Sequence, residues 1–149
     1  METKNTFLKI MSIIILIGGI AFIVLALALF GLAALSGLAP ELATIKVLLI
    51  VAGILMLIGG IFEIIAGRTG LKASKDPSKS KACVVLGIIL MIPSILAFIF
   101  VVVSLNILAG LGGLDIGISY GNAISSLLIG VVVPLLYIVA AKIGVKSVA

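Results

Sequence analysis

Glu63 is the residue whose type and position most suggest chemistry, because it is an acid well inside an apolar run and five residues before Arg68. In a helix that spacing puts it about 7.5 Å below the end of the run. A carboxylate at such depth is costly and often functional, so it could bind a cation, carry a proton or make an oligomer contact. A simpler interpretation is an interfacial acid that reaches the headgroups or closes a salt bridge with Lys142, Lys9 or Arg68.

The other residue types restrict the chemistry. The chain has no histidine and a single cysteine, Cys83. A bis-histidine haem, a histidine-containing zinc site, a His-based triad and a Cys-X-X-Cys centre are therefore excluded. No glycine-rich segment has the context of a phosphate-binding loop. We predict no cofactor, no metal site, no catalytic residue and no enzymatic activity. We interpret Cys83 as a small residue at a helix start, with palmitoylation or another thiol reaction as the alternative.

Four long apolar runs must position these residues. The 149 residues are 64% hydrophobic and 10% charged, which is more apolar surface than a soluble domain of this length can bury. A membrane-spanning helix needs about 20 apolar residues, and lipid leaves no partner for an unpaired backbone amide. The sequence therefore predicts an all-α membrane protein, a single domain built as an antiparallel bundle of four transmembrane helices. The expected spans are residues 10–35, 43–67, 82–108 and 122–144.

The first run exceeds the apolar core of a signal peptide, which has about 7–15 residues. We interpret it as a retained span, with cleavage as the alternative.

Positive charge falls on one side of the predicted bundle. The segment 68–81 holds five cations and one anion, and each end of the chain adds two lysines. With four spans these three segments share one side, which carries nine of the ten Lys and Arg residues. The positive-inside rule then predicts a multi-pass protein of the cell membrane, with both termini and a basic loop 68–81 in the cytoplasm.

The cations of the basic loop have two compatible roles. They are a topology signal, and they are expected to attract anionic lipid headgroups, at roughly 1 kcal/mol per residue near the surface. Nucleic-acid binding is not expected, because the cations lack interleaved aromatic residues or a recognisable module. The expected headgroup residues are Arg68, Lys72, Lys75, Lys79 and Lys81. Ser78 or Ser80 is expected to cap the third span.

A few polar residues are expected at the opposite side or near the membrane edges. We interpret Lys46 with Glu41, together with Tyr120 and Tyr137, as interfacial anchors, and we place Asp115 in the outer connection at 110–121.

Small residues recur at intervals of seven in the first two spans, which keeps one stripe facing a partner helix. Such residues let helix backbones approach closely in lipid, although glycine is also simply common in membrane helices. The string LIGGI occurs at 16–20 and again at 57–61, at matching depth. We therefore expect the first two spans to form a tight antiparallel hairpin. The predicted packing residues are Ser12, Gly18, Gly19, Ala26, Gly53, Gly59, Gly60, Gly67 and Gly87.

Pro93 and Pro134 each lack a backbone donor within an apolar run and predict bent third and fourth helices. Broken helices can also line transport sites, which is the alternative reading.

Two stretches near the basic loop carry a resemblance. Gly67-Arg68 is followed by KASKDPSK at 72–79 and by VLGII at 85–89. With the four spans, these strings make the chain resemble small tetra-spanning bacterial membrane proteins of unknown function. The resemblance implies the four-span architecture and brings no activity with it.

Three functions fit these observations. The preferred one is an accessory, scaffold or interaction protein that assembles through its helices, as a homo-oligomer or with other membrane proteins. The first alternative is a small transporter or channel that uses Glu63 and the proline-containing spans. The second alternative is a protein that binds anionic lipid or shapes the membrane through its basic loop.

Overall fold

The described residues form four long helices. The structure is a computed structural model that describes residues 5–36, 43–110 and 120–146. The helices are α1 (Thr6–Ser36), α2 (Ala43–Ala73), α3 (Ser80–Gly110) and α4 (Tyr120–Lys146). Each is long and apolar enough to cross a membrane. The predicted all-α, four-helix, multi-pass membrane protein is thereby confirmed. The expectations for Glu41, for Asp115, for the side chain of Tyr120 and for the outer connections lie outside the described residues.

The basic loop is shorter in the structure than the predicted 68–81. Helix α2 continues through Arg68 to Ala73, and α3 starts at Ser80. A helix satisfies its own backbone hydrogen bonds in water as well as in lipid, and no proline precedes Pro77 in this segment. With 31 residues, α2 is about 46 Å long, whereas the hydrocarbon core is about 30 Å thick. The extra turns carry Arg68 and Lys72, so part of the positive charge lies within α2 after the apolar run ends.

Asp76 organises the connection that remains. Its carboxylate accepts hydrogen bonds from the backbone N–H of Ser78 at 3.2 Å and from the Ser78 hydroxyl at 2.6 Å. These bonds cap a 3-10 turn at Pro77–Lys79, which leads directly into α3. The Ser78 hydroxyl bond, together with Lys79, lowers the pKa of the Asp76 carboxyl below its usual value.

The helices pack in chain order around the bundle. The α1–α2 contact is the most extensive, followed by α3–α4; α2 joins the two pairs by packing on α3, and a smaller α1–α4 contact closes the ring. The buried core lies toward the end of the bundle that carries the basic residues, and it includes Leu8, Met11, Ala66 and Tyr137. Most of the large aliphatic side chains face outward, as expected of helices solvated by lipid.

Pro93 and Pro134 lie inside α3 and α4, and both helices continue past them. Pro93 packs toward Gly59, where a β-carbon would lie 3.6 Å from the proline Cβ. Pro134 is buried in the bundle. Both prolines therefore contribute to helix packing.

Candidate functional site

Gly19 and Gly60 bring the backbones of α1 and α2 into contact. A β-carbon built on Gly19 would lie 2.7 Å from the Gly60 carbonyl oxygen, and one built on Gly60 would lie 2.8 Å from the Gly19 carbonyl oxygen. Both distances are shorter than any ordinary carbon–oxygen contact. The approach is reciprocal, and it requires glycine on both helices.

The same interface extends in both directions from this glycine pair. A β-carbon on Gly67 would lie 2.9 Å from the Ser12 carbonyl oxygen, and one on Gly53 would lie 2.6 Å from the Phe30 ring. Gly59 lies between α3 and α1, since a β-carbon on it would be 3.6 Å from the Pro93 Cβ and 3.9 Å from the Phe22 ring. On α1 the residues spaced by seven are all buried: Ser12, Gly19, Ala26 and Ala33.

Glu63 lies at the α1–α2 interface, three residues after Gly60. Its Oε2 atom is buried and has no hydrogen-bond partner. A β-carbon on Gly18 would lie 2.9 Å from that oxygen, so the absence of a side chain at Gly18 leaves the space that the carboxyl group fills. An ionised carboxylate oxygen held in this way is costly, since no donor replaces the water it has lost.

None of the three candidate bases reaches Glu63. In the described part of the chain, Asp76 is the acid that forms an ion pair, and its partner is Lys79 at 3.4 Å. The structure therefore does not bring Lys9, Lys142 or Arg68 together with the acid. The carboxyl group faces the small-residue seam between α1 and α2, whereas these cations lie exposed at the helix surfaces.

Tyr137 occupies the centre of the buried core. Its side chain is 0% exposed, and its hydroxyl donates a hydrogen bond to the backbone carbonyl of Ala66 at 2.7 Å. The Cys83 thiol of α3 is buried in the same core cluster. The expectation that Tyr137 is an interfacial anchor is therefore wrong: its polar atom is satisfied inside the bundle, so it does not need the membrane surface.

Two glycines make room for the Tyr137 ring. A β-carbon on Gly70 of α2 would meet the ring and the Ser12 hydroxyl, and one on Gly87 of α3 would lie 3.3 Å from the ring atom Cδ1 and would overlap Ile138. Ser12 itself donates a hydrogen bond to the Leu8 carbonyl at 2.6 Å. All four helices thus contribute residues around this tyrosine.

Asn5 joins three helices at the basic end, a role that the sequence analysis missed. Its Oδ1 accepts from the Leu8 backbone N–H at 2.9 Å, which caps α1. Its side-chain Nδ2 donates to the Ala140 carbonyl of α4 at 2.7 Å, and its backbone N–H donates to the Ser74 carbonyl at 3.1 Å, just after α2. An asparagine placed directly before an apolar run is the sequence signal that could have identified the cap.

Ser80 fixes the start of α3 against α4. Its hydroxyl is buried and makes no hydrogen bond, and a β-carbon on Gly144 would lie 2.5 Å from that oxygen. The expected side-chain cap by Ser78 or Ser80 is wrong, because the Ser78 hydroxyl donates to Asp76 and the Ser80 hydroxyl accepts nothing. The backbone N–H of Ser80 donates to the Pro77 carbonyl instead.

The expected headgroup residues are all exposed on the surface around the basic connection: Arg68, Lys72, Lys75, Lys79 and Lys81. Within the described ranges, no group of three His, Cys, Asp or Glu side chains could hold a metal ion. Comparison with known proteins found no matching family model, no matching curated protein and no matching solved structure. Function must therefore be inferred from the residues themselves.

Proposed function

We propose that this chain is an accessory or scaffold protein of the membrane that acts through its helix surfaces and catalyses no reaction. The observation that carries the proposal is the direction of its buried and half-buried polar side chains. Asn5 and Tyr137 donate to backbone carbonyls of other helices. Ser12, Ser94 and Ser104 donate to the carbonyl four residues earlier in their own helix. The exceptions are Glu63 Oε2 and the Ser80 hydroxyl, which have no partner. The bonds of Asn5 and Tyr137 position helices against one another, and all five donors are used inside the bundle.

The packing between α1 and α2 supports the same proposal. Backbones touch at Gly19 and Gly60, and the Phe30 ring fills the space beside Gly53. An aqueous path between these two helices would have to separate them at both levels. The structure is thus better suited to stable association than to conduction at this interface.

We infer that the helices run antiparallel, with both termini on the cytoplasmic side of the cell membrane. Gly67 packs at Ser12, Gly60 at Gly19 and Gly53 at Phe30, so positions rise along α1 as their partners fall along α2. With four such helices, nine of the ten Lys and Arg residues belong to one side, and the positive-inside rule assigns that side to the cytoplasm.

The partners that we propose are a second copy of the chain or another membrane protein, together with membrane lipids and without nucleic acid. A photoreactive amino acid placed at Val24 or Leu128 tests this, since these side chains are 60% and 58% exposed. We expect cross-links between differently tagged copies, or to a second membrane protein, in native membranes. The matched control is Ala26, which is 0% exposed and should cross-link only within the chain. Adducts with lipid alone at both outward positions would contradict assembly through the helix surfaces.

Proton or cation transport is a second candidate, because the buried Oε2 of Glu63 has no partner. The test is a flux assay in liposomes that contain a pH-sensitive dye and an imposed potassium gradient. Flux by the wild type that Glu63→Gln abolishes and Asp76→Asn preserves would support transport through this acid. Flux no greater than that of empty liposomes would reject transport.

A further inference from the structure

An open groove lies between the adjoining ends of α3 and α4, at the basic end of the bundle. Its volume is about 380 Å³, and it is lined by Lys81, Val84, Lys142, Val145 and Lys146. We call it the lysine groove. Two of its lysines are on α4, outside the basic connection to which the sequence analysis assigned headgroup binding.

Helix geometry explains why lysine and valine alternate along this groove. Lys81 and Val84 are three residues apart on α3, and Lys142 and Val145 are three apart on α4, so each pair shares one helix face. Lys146 lies one turn beyond Lys142 on the same face. The groove therefore has an apolar part made by two valines and a cationic part made by three lysines.

The helix ends that form the groove are held firmly by their neighbours. The buried Ser80 hydroxyl packs against Gly144, which sets the distance between the start of α3 and the last turns of α4. Asn5 adds a hydrogen bond to the Ala140 carbonyl of α4. The helix ends that carry the groove are thus parts of the packed bundle.

The charge of the lysine groove is not compensated by the described acids. No carboxylate lines it. Of the described acids, Glu63 lies at the α1–α2 interface beside Gly18, and Asp76 is paired with Lys79 and bonded to Ser78. The N-terminal dipole of α3 and the C-terminal dipole of α4 oppose each other here, so the lysines determine the potential. Three neighbouring cations repel one another unless an anion joins them.

We propose that the lysine groove binds the headgroup of an anionic phospholipid. The groove lies where the apolar helices end, which is the depth of the headgroup layer, and basic pockets between transmembrane helices suit such headgroups. The lysines contact the phosphate while their aliphatic stems stay in the apolar layer. Val84 and Val145 pack against the glycerol and the first methylenes of the lipid, a contact that a free phosphate ion does not provide. The site goes beyond the assembly proposed above and does not depend on it.

The test uses the full chain in a zwitterionic detergent, with dioctanoyl phosphatidylglycerol as the probe and native mass spectrometry as the measurement. Dioctanoyl phosphatidylcholine and inorganic phosphate are the comparison ligands. The groove variant is Lys81→Gln, Lys142→Gln and Lys146→Gln together. The matched control is Lys72→Gln, Lys75→Gln and Lys79→Gln, which removes the same charge outside the groove.

We expect the wild type to prefer phosphatidylglycerol over phosphatidylcholine. Since each basic residue near a headgroup contributes roughly fivefold in affinity, the groove variant should bind phosphatidylglycerol at least tenfold more weakly. The lysines of the control variant lie outside the groove and attract headgroups only diffusely, so its loss should be several-fold smaller than that of the groove variant. The double substitution Val84→Ser and Val145→Ser should weaken the binding of phosphatidylglycerol and leave the binding of inorganic phosphate unchanged.

Two results would overturn the proposal. Equal losses in the groove and control variants would mean diffuse attraction to the whole basic surface. Competition by phosphate at the same concentration as the lipid would mean a site for a soluble anion. If the groove variant does not fold, the same substitutions to arginine keep the charge and must retain the lipid preference; loss of preference in that folded variant counts against the site.

Discussion

The hydroxyl of Tyr137 on α4 donates a hydrogen bond to the carbonyl oxygen of Ala66 on α2, across 71 residues of sequence and at 2.7 Å. These two helices are not neighbours around the bundle, and they share far fewer contacts than α1 and α2 do. The tyrosine therefore links the two helix pairs through the centre of the core. Its position requires a glycine on each of two other sides, Gly70 and Gly87.

Replacement of Tyr137 by phenylalanine should lower the free energy of unfolding by about 0.5–1.5 kcal/mol, because one interhelical hydrogen bond is lost and the ring is kept. The measurement is unfolding in mixed micelles on titration with a denaturing detergent. Ser125→Ala is the control, since that exposed hydroxyl bonds only to the Gly121 carbonyl of its own helix. If both substitutions lowered the free energy of unfolding equally, the hydrogen bond between α2 and α4 would contribute nothing to stability beyond that of a bond within one helix.

The buried position of Tyr137 could not be predicted from the sequence, although the helix that carries it could. The four helices could be predicted, because bilayer thickness and backbone hydrogen bonding dictate long apolar runs. A tyrosine near the end of such a run satisfies its hydroxyl equally well at the membrane surface or against a buried carbonyl. The choice depends on space that Gly70 and Gly87 supply from other helices, and one sequence does not reveal which helices meet.

For Glu63, the depth along the helix could be predicted and the direction of the side chain could not. Its depth could be estimated from spacing along one helix, and this made nearby cations the natural candidate partners. Its direction depends on the rotation of α2, which the contacts of Gly60 and Gly67 with α1 set. The carboxyl group consequently faces Gly18, and the sequence contains no local signal for that contact.

Gly19→Ala should destabilise the bundle by about 1–3 kcal/mol, since the added methyl group would have to push the Gly60 carbonyl away. Gly31→Ala is the matched control on the same helix, because a β-carbon there meets nothing within 4 Å. That control should be neutral or more stable by about 0.5–1 kcal/mol, as alanine is the better helix former. The same unfolding titration measures both, and similar destabilisation by the two would refute close contact at Gly19.

Asn5→Ala should lower the free energy of unfolding by about 1–2 kcal/mol, because the cap of α1 is lost. Loss of the hydrogen bond to the Ala140 carbonyl should lower it further. Asn5→Asp separates the two effects, since it keeps the acceptor for the Leu8 N–H and removes the donor to Ala140. Hydrogen exchange of the first turn of α1 is the measurement. We expect fast exchange in Asn5→Ala and near-normal exchange in Asn5→Asp. Equal exchange rates in both variants would contradict the cap.

Two carboxylate-to-amide substitutions should change the free energy of unfolding in opposite directions. Glu63→Gln removes a buried charge that lacks a partner and should stabilise the protein at pH 8 by on the order of 1 kcal/mol. Asp76→Asn removes the ion pair with Lys79 and weakens the acceptor for Ser78, so it should destabilise slightly. The lowered pKa of Asp76 means that its contribution is present above the pKa of the unfolded chain and is lost as the pH falls through the folded value. Unfolding titrations at pH 8 and pH 3 measure both effects. A Glu63→Gln variant less stable than the wild type at pH 8 would mean that the carboxylate has found a partner, such as a bound cation, that the described residues do not supply.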